Sequence, residues 1–350
     1  MTINYLDSKR ISGTTADRNG TPAVSGGWKE LGRTTLGSAG TTITVSGLAD
    51  KRYYKILTSS KGSGSPDYTA RINSDTGSTY ASRWMDNGSG ENTGVSRTSM
   101  LYDSVGGGFN HKFNIGYIAN LASKEKLSIN HSADSDTSAA STAPSRSETV
   151  HKWANTSDAL SAFSLISTVN MDIGSEVVVL GWDDSDTHTT NFWEELASVD
   201  WSSGGSISSG TFTPKKYLWV QGWYKNAADT GYLQLRVGNS TVDPDPNYAN
   251  RYNHNGTIPD PTPETGNNII LPNVTNTNAS GANGFFNSFI INNASNEKLV
   301  INHHVLRGGS GAGSAPDRVE CVSKWANTSN QINIIEMLRN TNNFTAGQIK

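Results

Sequence analysis

The sequence ECVSKWANTS, at Glu320–Ser329, has a second version, ETVHKWANTS, at Glu148–Ser157. A shorter match lies upstream of each, since EKLSINH at Glu125–His131 corresponds to EKLVINH at Glu297–His303. Both pairs have the same separation along the chain, and matches of this length over rare residue types do not arise by chance. The separation is far longer than a solenoid repeat. It therefore predicts a tandem duplication in which each copy is a domain with its own core.

Further matches define the boundaries of the two copies. Trp28–Leu31 corresponds to Trp193–Leu196, and the separation of equivalent residues grows along the chain, which places insertions in loops. The predicted organisation is an N-terminal arm over residues 1–27, a first domain over 28–182, a linker over 183–191 and a second domain over 192–350. The arm is polar, and we expect it either to stay mobile or to dock on a neighbouring subunit.

The composition indicates an all-β protein. Charged residues make up only 17% of the chain, glycine is abundant at 35 residues, and serine, threonine and asparagine are frequent. Short alternating segments rich in aromatic and β-branched residues, such as Lys51–Leu57, recur between turn signals, and long helical periodicity is nearly absent. About eight to ten strands per copy predict two tandem antiparallel β-sandwich domains of the jelly-roll type.

The ends of the copies differ in the predicted strands. The segment Phe192–Leu196 is predicted as the first strand of the second copy, because it matches the start of the first. The last strand of the first copy, Ser175–Gly181, has only Gly347–Lys350 as its counterpart. We expect either that this final strand is short or that residues beyond Lys350 complete it.

Several classes of function are not supported by the sequence. The formal net charge of −3 gives no basic surface for nucleic acid, and no apolar run is long enough to insert into a membrane as a helix. The N-terminus lacks the apolar core of a secretory signal. The single cysteine, Cys321, excludes internal disulfides and is predicted to be a buried structural thiol.

No catalytic or metal-binding constellation emerges from the spacing of polar residues. His131 and His303 recur but lack repeated partners, so they are predicted to be structural or loop residues. The aspartates around Asp134, Asp183 and Asp243 lack the spacing of a calcium loop and are predicted to be solvated turns. The repeated glutamates lie beside lysine or arginine, which predicts surface ion pairs; these are Glu125, Glu297, Glu148 and Glu320. The protein is therefore predicted not to be an enzyme and to need no cofactor or metal.

The repeated motif itself is predicted to be structural. Alternation places Trp153 and Trp325 opposite the preceding lysines and so in the core, although sugar stacking is the alternative. The asparagines that follow, Asn155 and Asn327, favour turns through side-chain bonds to the backbone. Exposed aromatics are the candidates for stacking on sugars, namely Trp84, Trp223 and Tyr252, with Tyr102 and Trp182 also predicted to be exposed.

The closing segments resemble jelly-roll modules of virion structural proteins from tailed phages and archaeal viruses, of the marine viral type. The resemblance rests on Trp-Ala-Asn-Thr-Ser, an alternating strand with Ile332 and Ile334, and the final Phe344 and Gly347. A Tyr-Ala-x-Arg pattern ending in Arg83 and Arg251 is similar to the same group. The resemblance covers both copies but not the arm, and it implies no catalytic residue.

The function expected from this resemblance is that of a non-enzymatic virion component in a capsid, a decoration or a tail. Its partners would be further copies of itself and other virion proteins, and it would be located in the virion after assembly in the host cytoplasm. Edge strands and the arm would make the subunit contacts. The alternative is a carbohydrate-binding, receptor-binding β-sandwich protein that recognises host surface glycans.

Overall fold

The computed structural model describes most of the chain from residue 27 onward. The described residues are 14–16, 22–24, 27–62, 64, 66–103, 111–183, 185–186, 188, 191–227, 233–256, 264–271, 283–306, 315–341 and 343–350. The predicted arm therefore lies largely outside the described residues, as do much of the linker and several of the predicted loop insertions. Within residues 14–24 two short strands pair with each other, β1 (Thr14–Ala16) and β2 (Pro22–Val24).

Two β-sandwiches follow one another along the chain. The strands of sandwich one are β3 (Lys29–Thr35), β4 (Gly40–Ser46), β5 (Tyr53–Lys61), β6 (Tyr68–Ile72), β7 (Tyr80–Asp86), β8 (Asn92–Arg97), β9 (Met100–Asp103), β10 (His111–Ala119), β11 (Lys126–Asp134), β12 (Ser145–Trp153), β13 (Ala162–Met171) and β14 (Glu176–Trp182).

Sandwich two is built in the same way. Its strands are β15 (Val199–Trp201), β16 (Ser206–Ser208), β17 (Tyr217–Asn226), β18 (Leu233–Asn239), β19 (Thr241–Val242), β20 (Tyr248–His254), β21 (Glu264–Gly266), β22 (Ile269–Leu271), β23 (Asn283–Ile291), β24 (Lys298–Leu306), β25 (Asp317–Trp325), β26 (Ile334–Arg339) and β27 (Phe344–Ile349).

Each sandwich has a large and a small antiparallel sheet. In sandwich one the large sheet has the order β3-β14-β5-β10-β11-β12-β7-β8, and the small sheet has the order β4-β13-β6-β9. In sandwich two the large sheet has the order β15-β27-β17-β23-β24-β25-β20-β21, and the small sheet has the order β16-β26-β18-β19 with β22 beside β18. The equivalent order of strands confirms the predicted all-β fold of two tandem antiparallel sandwiches.

The inward faces of both sandwiches carry the predicted alternation. Trp153 and Trp325 are 1% and 2% exposed, and each packs among apolar side chains from the two sheets of its own sandwich. Cys321 is likewise buried, as predicted. Tyr102 is the exception among the aromatics, because it was predicted to be exposed and is buried beside Phe163. The prediction failed because β9 is buried at every residue and has no solvent-facing side.

The two large sheets pack against each other, so that the sandwiches share a third apolar cluster. Strands β5, β10, β11 and β14 contribute from one side and β17, β23, β24 and β25 from the other; the members are Leu57, Phe113, Ile115, Ala133, Val178, Leu180, Tyr217, Phe289, Ile291, Leu299, Ile301 and Val322. These residues alternate with those that face the sandwich interiors. The described molecule thus has four sheet layers, with the large sheets in the middle.

Equivalent residues of the two copies meet at this interface. The imidazole rings of His131 and His303 lie with centroids 4.5 Å apart, and His303 Nε2 is 3.3 Å from His131 Nδ1. Arg146 is 2% exposed and forms ion pairs with Glu148 of its own sandwich and, at 3.4 Å, with Glu320 of the other. The prediction of surface ion pairs is wrong for these glutamates, because the opposite sandwich covers them.

The pair formed by Glu297 and Lys324 is also an interface pair. Their charged atoms are 3.5 Å apart and nearly inaccessible, and Lys324 Nζ donates to the carbonyl of Ser135 at 2.9 Å. The equivalent pair in sandwich one, Glu125 with Lys152, lies at the surface as predicted. Sequence equivalence therefore does not give equivalent burial, because the interface covers only one of the two sites.

Among the described residues there is no helix, and hence none long and apolar enough to cross a membrane.

Candidate functional site

The free edge of strand β17 in sandwich two is the candidate site. Strand β27 pairs with β17 from Phe344 opposite Asn226 to Ile349 opposite Gly222. Lys350, the last residue of the sequence, continues this ladder by exchanging backbone hydrogen bonds of 2.8 and 2.9 Å with Gln221. Within the described part of the chain, no strand pairs with Tyr217–Val220 along this edge.

Sandwich one has a complete strand at the equivalent position. There β14 runs on to Trp182, which pairs with Tyr53, while Val179 pairs with Ile56. Tyr53 corresponds to Tyr217, as equivalent hydrogen bonds show. Asn120 donates to the carbonyl of Lys51, two residues before Tyr53, and Asn292 donates to the carbonyl of Lys215, two residues before Tyr217. Four residues of strand in sandwich one, Val179–Trp182, thus have no counterpart among the described residues of sandwich two.

The gap explains why a predicted strand is missing. Phe192–Leu196 is the predicted first strand of the second copy, but residues 192–198 have no regular structure, and β15 starts only at Val199, opposite Ile349. Residues before Val199 would need a partner beyond Lys350. The equivalent residues Lys29–Gly32 do form a strand, because β14 extends far enough to pair with them.

The unpaired edge exposes backbone groups suited to strand addition. Because Gln221 is a hydrogen-bonded partner of Lys350, its N–H and C=O point toward β27. In an antiparallel ladder this direction recurs every second residue, so the N–H and C=O of Tyr217 and Trp219 point into the same gap. Leu218 and Val220 direct their backbone groups toward β23 instead.

The gap is a cavity of about 410 Å³ with an apolar lining. Its walls come from Leu218, Val220 and Ile349 on one side and from the irregular segment at Trp193 and Leu196 on the other, with Phe212 and Ile335 closing the end. We call this cavity the strand gap. An apolar slot between an open strand edge and a second segment is the geometry that receives an extended peptide.

Charged residues surround the mouth of the strand gap. Glu194 pairs with Lys215 at 2.7 Å and Glu195 with Lys350 at 2.7 Å, and all four side chains are largely exposed. Next to the gap, Glu176 of sandwich one accepts a hydrogen bond from the Tyr217 hydroxyl at 2.8 Å and lies 3.1 Å from Lys216. Burial opposes ionisation of Glu176, but Lys216 and hydrogen bonds from Thr35 and Tyr217 hold its pKa below the usual value.

The asparagines and arginines of the repeat signature lie at turns and on strands of the large sheets. Asn155 Oδ1 accepts from the backbone N–H of Ser157 and Asp158, both at 2.8 Å, and Asn327 makes the matching turn. Arg83 forms an exposed ion pair with Glu91. Arg251 reaches the other sandwich, where it donates to the carbonyl of Pro144 at 2.8 Å.

The three candidates for sugar stacking lie on different strands. Trp84 is on β7 beside Arg97, and Tyr252 on β20 is partly buried against the core of sandwich two. Trp223 on β17 is 45% exposed, and three strands separate it from β20, roughly 19 Å at the usual strand spacing. Trp223 therefore does not form a platform with Tyr252. Its cross-strand neighbour is Phe285, which is 44% exposed.

The acidic clusters and histidines form no metal site among the described residues, where no group of three or more His, Cys, Asp or Glu is placed to hold an ion. Asp243 accepts from the indole N–H of Trp325 at 2.7 Å, so it is not a solvated turn residue. Asp134 is also buried rather than solvated. Both are held by partners distant in sequence, which the local acidic pattern could not indicate.

Comparison with known proteins adds little to this geometry. No family model and no curated protein matches the sequence. Among solved structures, the chain is similar to domains LG4-5 of the mouse laminin alpha1 chain, with 11% identity, 93% of this chain and 88% of that chain covered, and a TM-score of 0.19. It is also similar to the STIV MCP, with 10% identity, coverage of 91% and 97%, and a TM-score of 0.13. Similarities this weak carry no argument about function.

Proposed function

We propose that this protein is a non-enzymatic structural subunit of a virion, which assembles with further copies of itself through strand addition. The observation that carries the proposal is the strand gap, which offers open backbone groups and an apolar slot beside β17. The predicted occupant is the N-terminal arm, residues 1–27, of a neighbouring copy. The assignment to a virion rests on the sequence resemblance alone.

Two features of the described molecule support an assembly role over catalysis. The strand gap is lined by apolar side chains and paired charges rather than by converging acid, base or nucleophile groups. The sandwiches are also fixed to each other by a buried cluster and by ion pairs, which suits a rigid building block. Edge strands are the usual route by which β-proteins join neighbours.

The test is the mass of the protein in solution, measured by light scattering on the full chain and on residues 28–350. We expect the full chain to form a defined oligomer that dissociates when the arm is removed. Thermal unfolding of the shortened chain checks that both sandwiches remain folded. A full chain that stays monomeric at high concentration would contradict the proposal.

A matched pair of variants locates the contact. Ala197 lines the strand gap from the irregular segment. Ala197→Trp fills the slot with an indole ring and should dissociate the oligomer, whereas Ala197→Ser keeps the slot open and should leave it intact. If Ala197→Trp assembles like the unaltered protein, the strand gap is not the site of assembly.

Carbohydrate binding is a second candidate, favoured by the adjacent exposed rings of Trp223 and Phe285 on neighbouring strands. Aromatic faces at this spacing can stack on sugar rings. A glycan array is the direct test, and a hit should weaken when Trp223→Ala is introduced but persist in Trp84→Ala. A flat array for the full chain would leave only the structural role.

A further inference from the structure

The core of sandwich one contains a lysine between two aspartates. Lys112 Nζ donates a hydrogen bond to Asp103 Oδ2 at 3.0 Å and lies 3.0 Å from Asp134 Oδ2. None of the three side chains is more than 1% exposed. The ring of Tyr68, which is itself fully buried, lies 5.3 Å from the ammonium. We call these three residues the buried triad.

The fold does not need charges at these positions, as sandwich two shows. In sandwich one Asp103 pairs with Tyr68, and the equivalent pair in sandwich two is Leu271 with Leu233. In sandwich one Lys112 pairs with Asp134, and the equivalent pair in sandwich two is Gly284 with Leu306. The equivalents of the triad are thus leucine, glycine and leucine. The ring of Tyr224 fills the remaining space, since a Cβ atom on Gly284 would lie 2.3 Å from it.

The triad therefore carries a desolvation cost that the sister copy avoids. Buried ion pairs are often no more stable than apolar side chains of similar volume. Only sandwich one bears this desolvation cost, which suggests that the three side chains react with one another. The amine nitrogen of Lys112 and the carboxyl group of Asp103 are held close enough for a bond to form between them. The site is buried, so bulk water does not compete for either group.

We propose that Lys112 and Asp103 become joined by an amide bond between Nζ and Cγ, with Asp134 moving the protons. Asp103 is assigned as the acyl group because Lys112 donates its well-directed hydrogen bond to it. Asp134 is the direct cross-strand neighbour of Lys112, and its Oδ2 lies 3.0 Å from Nζ. The link would connect β9 of the small sheet with β10 of the large sheet.

The step balances without any co-reactant. The Lys112 ammonium first transfers a proton to the Asp103 carboxylate, which gives a neutral amine and a carboxylic acid. The Nζ lone pair then attacks Cγ. Asp134 gives its proton to the departing hydroxyl, which leaves as water, and takes one proton back from Nζ. The Nζ–Cγ bond forms, the Cγ–OH bond breaks, and Asp134 returns to its starting state.

The electrostatics around Asp134 and Lys112 determine which groups carry protons in this step. Burial raises the pKa of Asp134 to about 6, against the pull of Lys112, so a protonated carboxyl is accessible near neutral pH. Burial lowers the pKa of Lys112, but the two aspartates raise it above the ordinary value. Lys112 must therefore pass its proton to another member of the buried triad, and Lys112 is hydrogen-bonded to Asp103.

The test is the intact mass of the purified full chain under denaturing conditions. We expect a mass lower than that of the unlinked chain by one water molecule, with Lys112→Met as the reference that cannot react. Tryptic digestion should yield residues 98–124 as one peptide, uncut at Lys112, because both linked residues lie within it. A link to Asp134 would instead join this peptide to residues 127–146 and would overturn the assignment.

Two further results decide the matter. A folded wild-type protein with the full unlinked mass means that the triad is an ordinary ion cluster, and the proposal is then wrong. Asp134→Asn keeps the Lys112–Asp103 contact but removes the acid, so we expect a much smaller linked fraction after the same incubation. An unchanged linked fraction in Asp134→Asn would remove Asp134 from the reaction.

Discussion

At the residue scale, the indole–aspartate bond of the repeated motif is the clearest determinant of local stability. Trp153 Nε1 donates to Asp75 Oδ2 at 2.7 Å, and Trp325 makes the same bond to Asp243. Asp75→Ala removes an ionised acceptor from a buried donor, so we expect a loss of about 1.5–3 kcal/mol in the free energy of unfolding. Chemical denaturation of the variant and the wild type measures this difference in the free energy of unfolding.

The duplication supplies the control for this prediction. Asp243→Ala should cost a similar amount in the other sandwich, whereas Asp75→Asn retains an acceptor oxygen and should cost less. If Asp75→Ala unfolds at the same denaturant concentration as the wild type, the bond contributes nothing to stability.

Lys55 is the second residue whose environment gives a prediction. It is 1% exposed, with its ammonium 4.7–5.4 Å from the rings of five aromatic residues, namely Trp28, Tyr117, Trp193, Trp219 and Phe289. Burial lowers its pKa to about 7, although the ring faces attract the charged form. Lys55→Met should therefore stabilise the protein at pH 7, on the order of 2 kcal/mol once cation–π attraction is discounted.

The pH dependence separates this effect from simple repacking. The folded state releases the Lys55 proton at a lower pH than the unfolded state does. The destabilisation is therefore fully present below about pH 7 and fades as the pH rises toward the ordinary lysine pKa. The stability gap between Lys55→Met and wild type should narrow from pH 7 to pH 10. A constant gap would show that the charge is not responsible.

At the element scale, the open edge of β17 next to β27 can be tested by adding a strand to it. Appending the residues of Val179–Trp182 after Lys350 supplies the missing four-residue strand in equivalent register. Burial of the added valine and leucine side chains contributes roughly 1.5–3 kcal/mol each before chain entropy is subtracted, so we expect a net gain of about 2 kcal/mol.

An extension of equal length made of glycine and serine is the control. The melting temperature should rise with the apolar extension only, and the filled strand gap should no longer support assembly. Equal melting temperatures for the two extensions would mean that the gap does not accept a strand.

Strands differed in how far the sequence could predict them. The repeated motif predicted the two sandwiches, the inward tryptophans and the turns at Asn155 and Asn327. These features could be predicted because they depend on local alternation or on local hydrogen bonding. The strand predicted at Phe192–Leu196 failed because a strand forms only with a partner, and the partner would come from the far end of the chain. The strand gap and the buried triad were missed for the same reason, since both join segments distant in sequence.

At the scale of the whole molecule, buried histidines should make the fold sensitive to acid. Burial lowers the pKa of His111 to about 4 and of His151 and His304 to about 3. The stability that depends on their neutral forms is complete above pH 6.5 and is lost as the pH falls toward the folded-state values. Each should cost about 2 kcal/mol between pH 7 and pH 5. Asp134 acts in the opposite direction, because its pKa is raised.

Melting temperatures measured between pH 8 and pH 4 test this prediction. His304→Gln removes one titrating group while retaining an acceptor for the Tyr224 hydroxyl, which lies 2.8 Å from His304 Nε2. The variant should lose less stability than wild type on acidification while resembling it at pH 8. Parallel curves for the two proteins would exclude His304 as a source of acid sensitivity.

The contact between His131 and His303 also shows how the two copies are related. When two identical subunits pair about a two-fold axis, both use the same surface. These histidines are counterparts in the duplicated sequence, but the surfaces around them differ. Leu299, Ile301 and Val322 are buried at the contact, whereas their counterparts Leu127, Ile129 and Val150 are 57%, 53% and 45% exposed. The sandwiches therefore meet head to tail, and such a contact does not close on itself, which leaves this apolar surface of sandwich one uncovered.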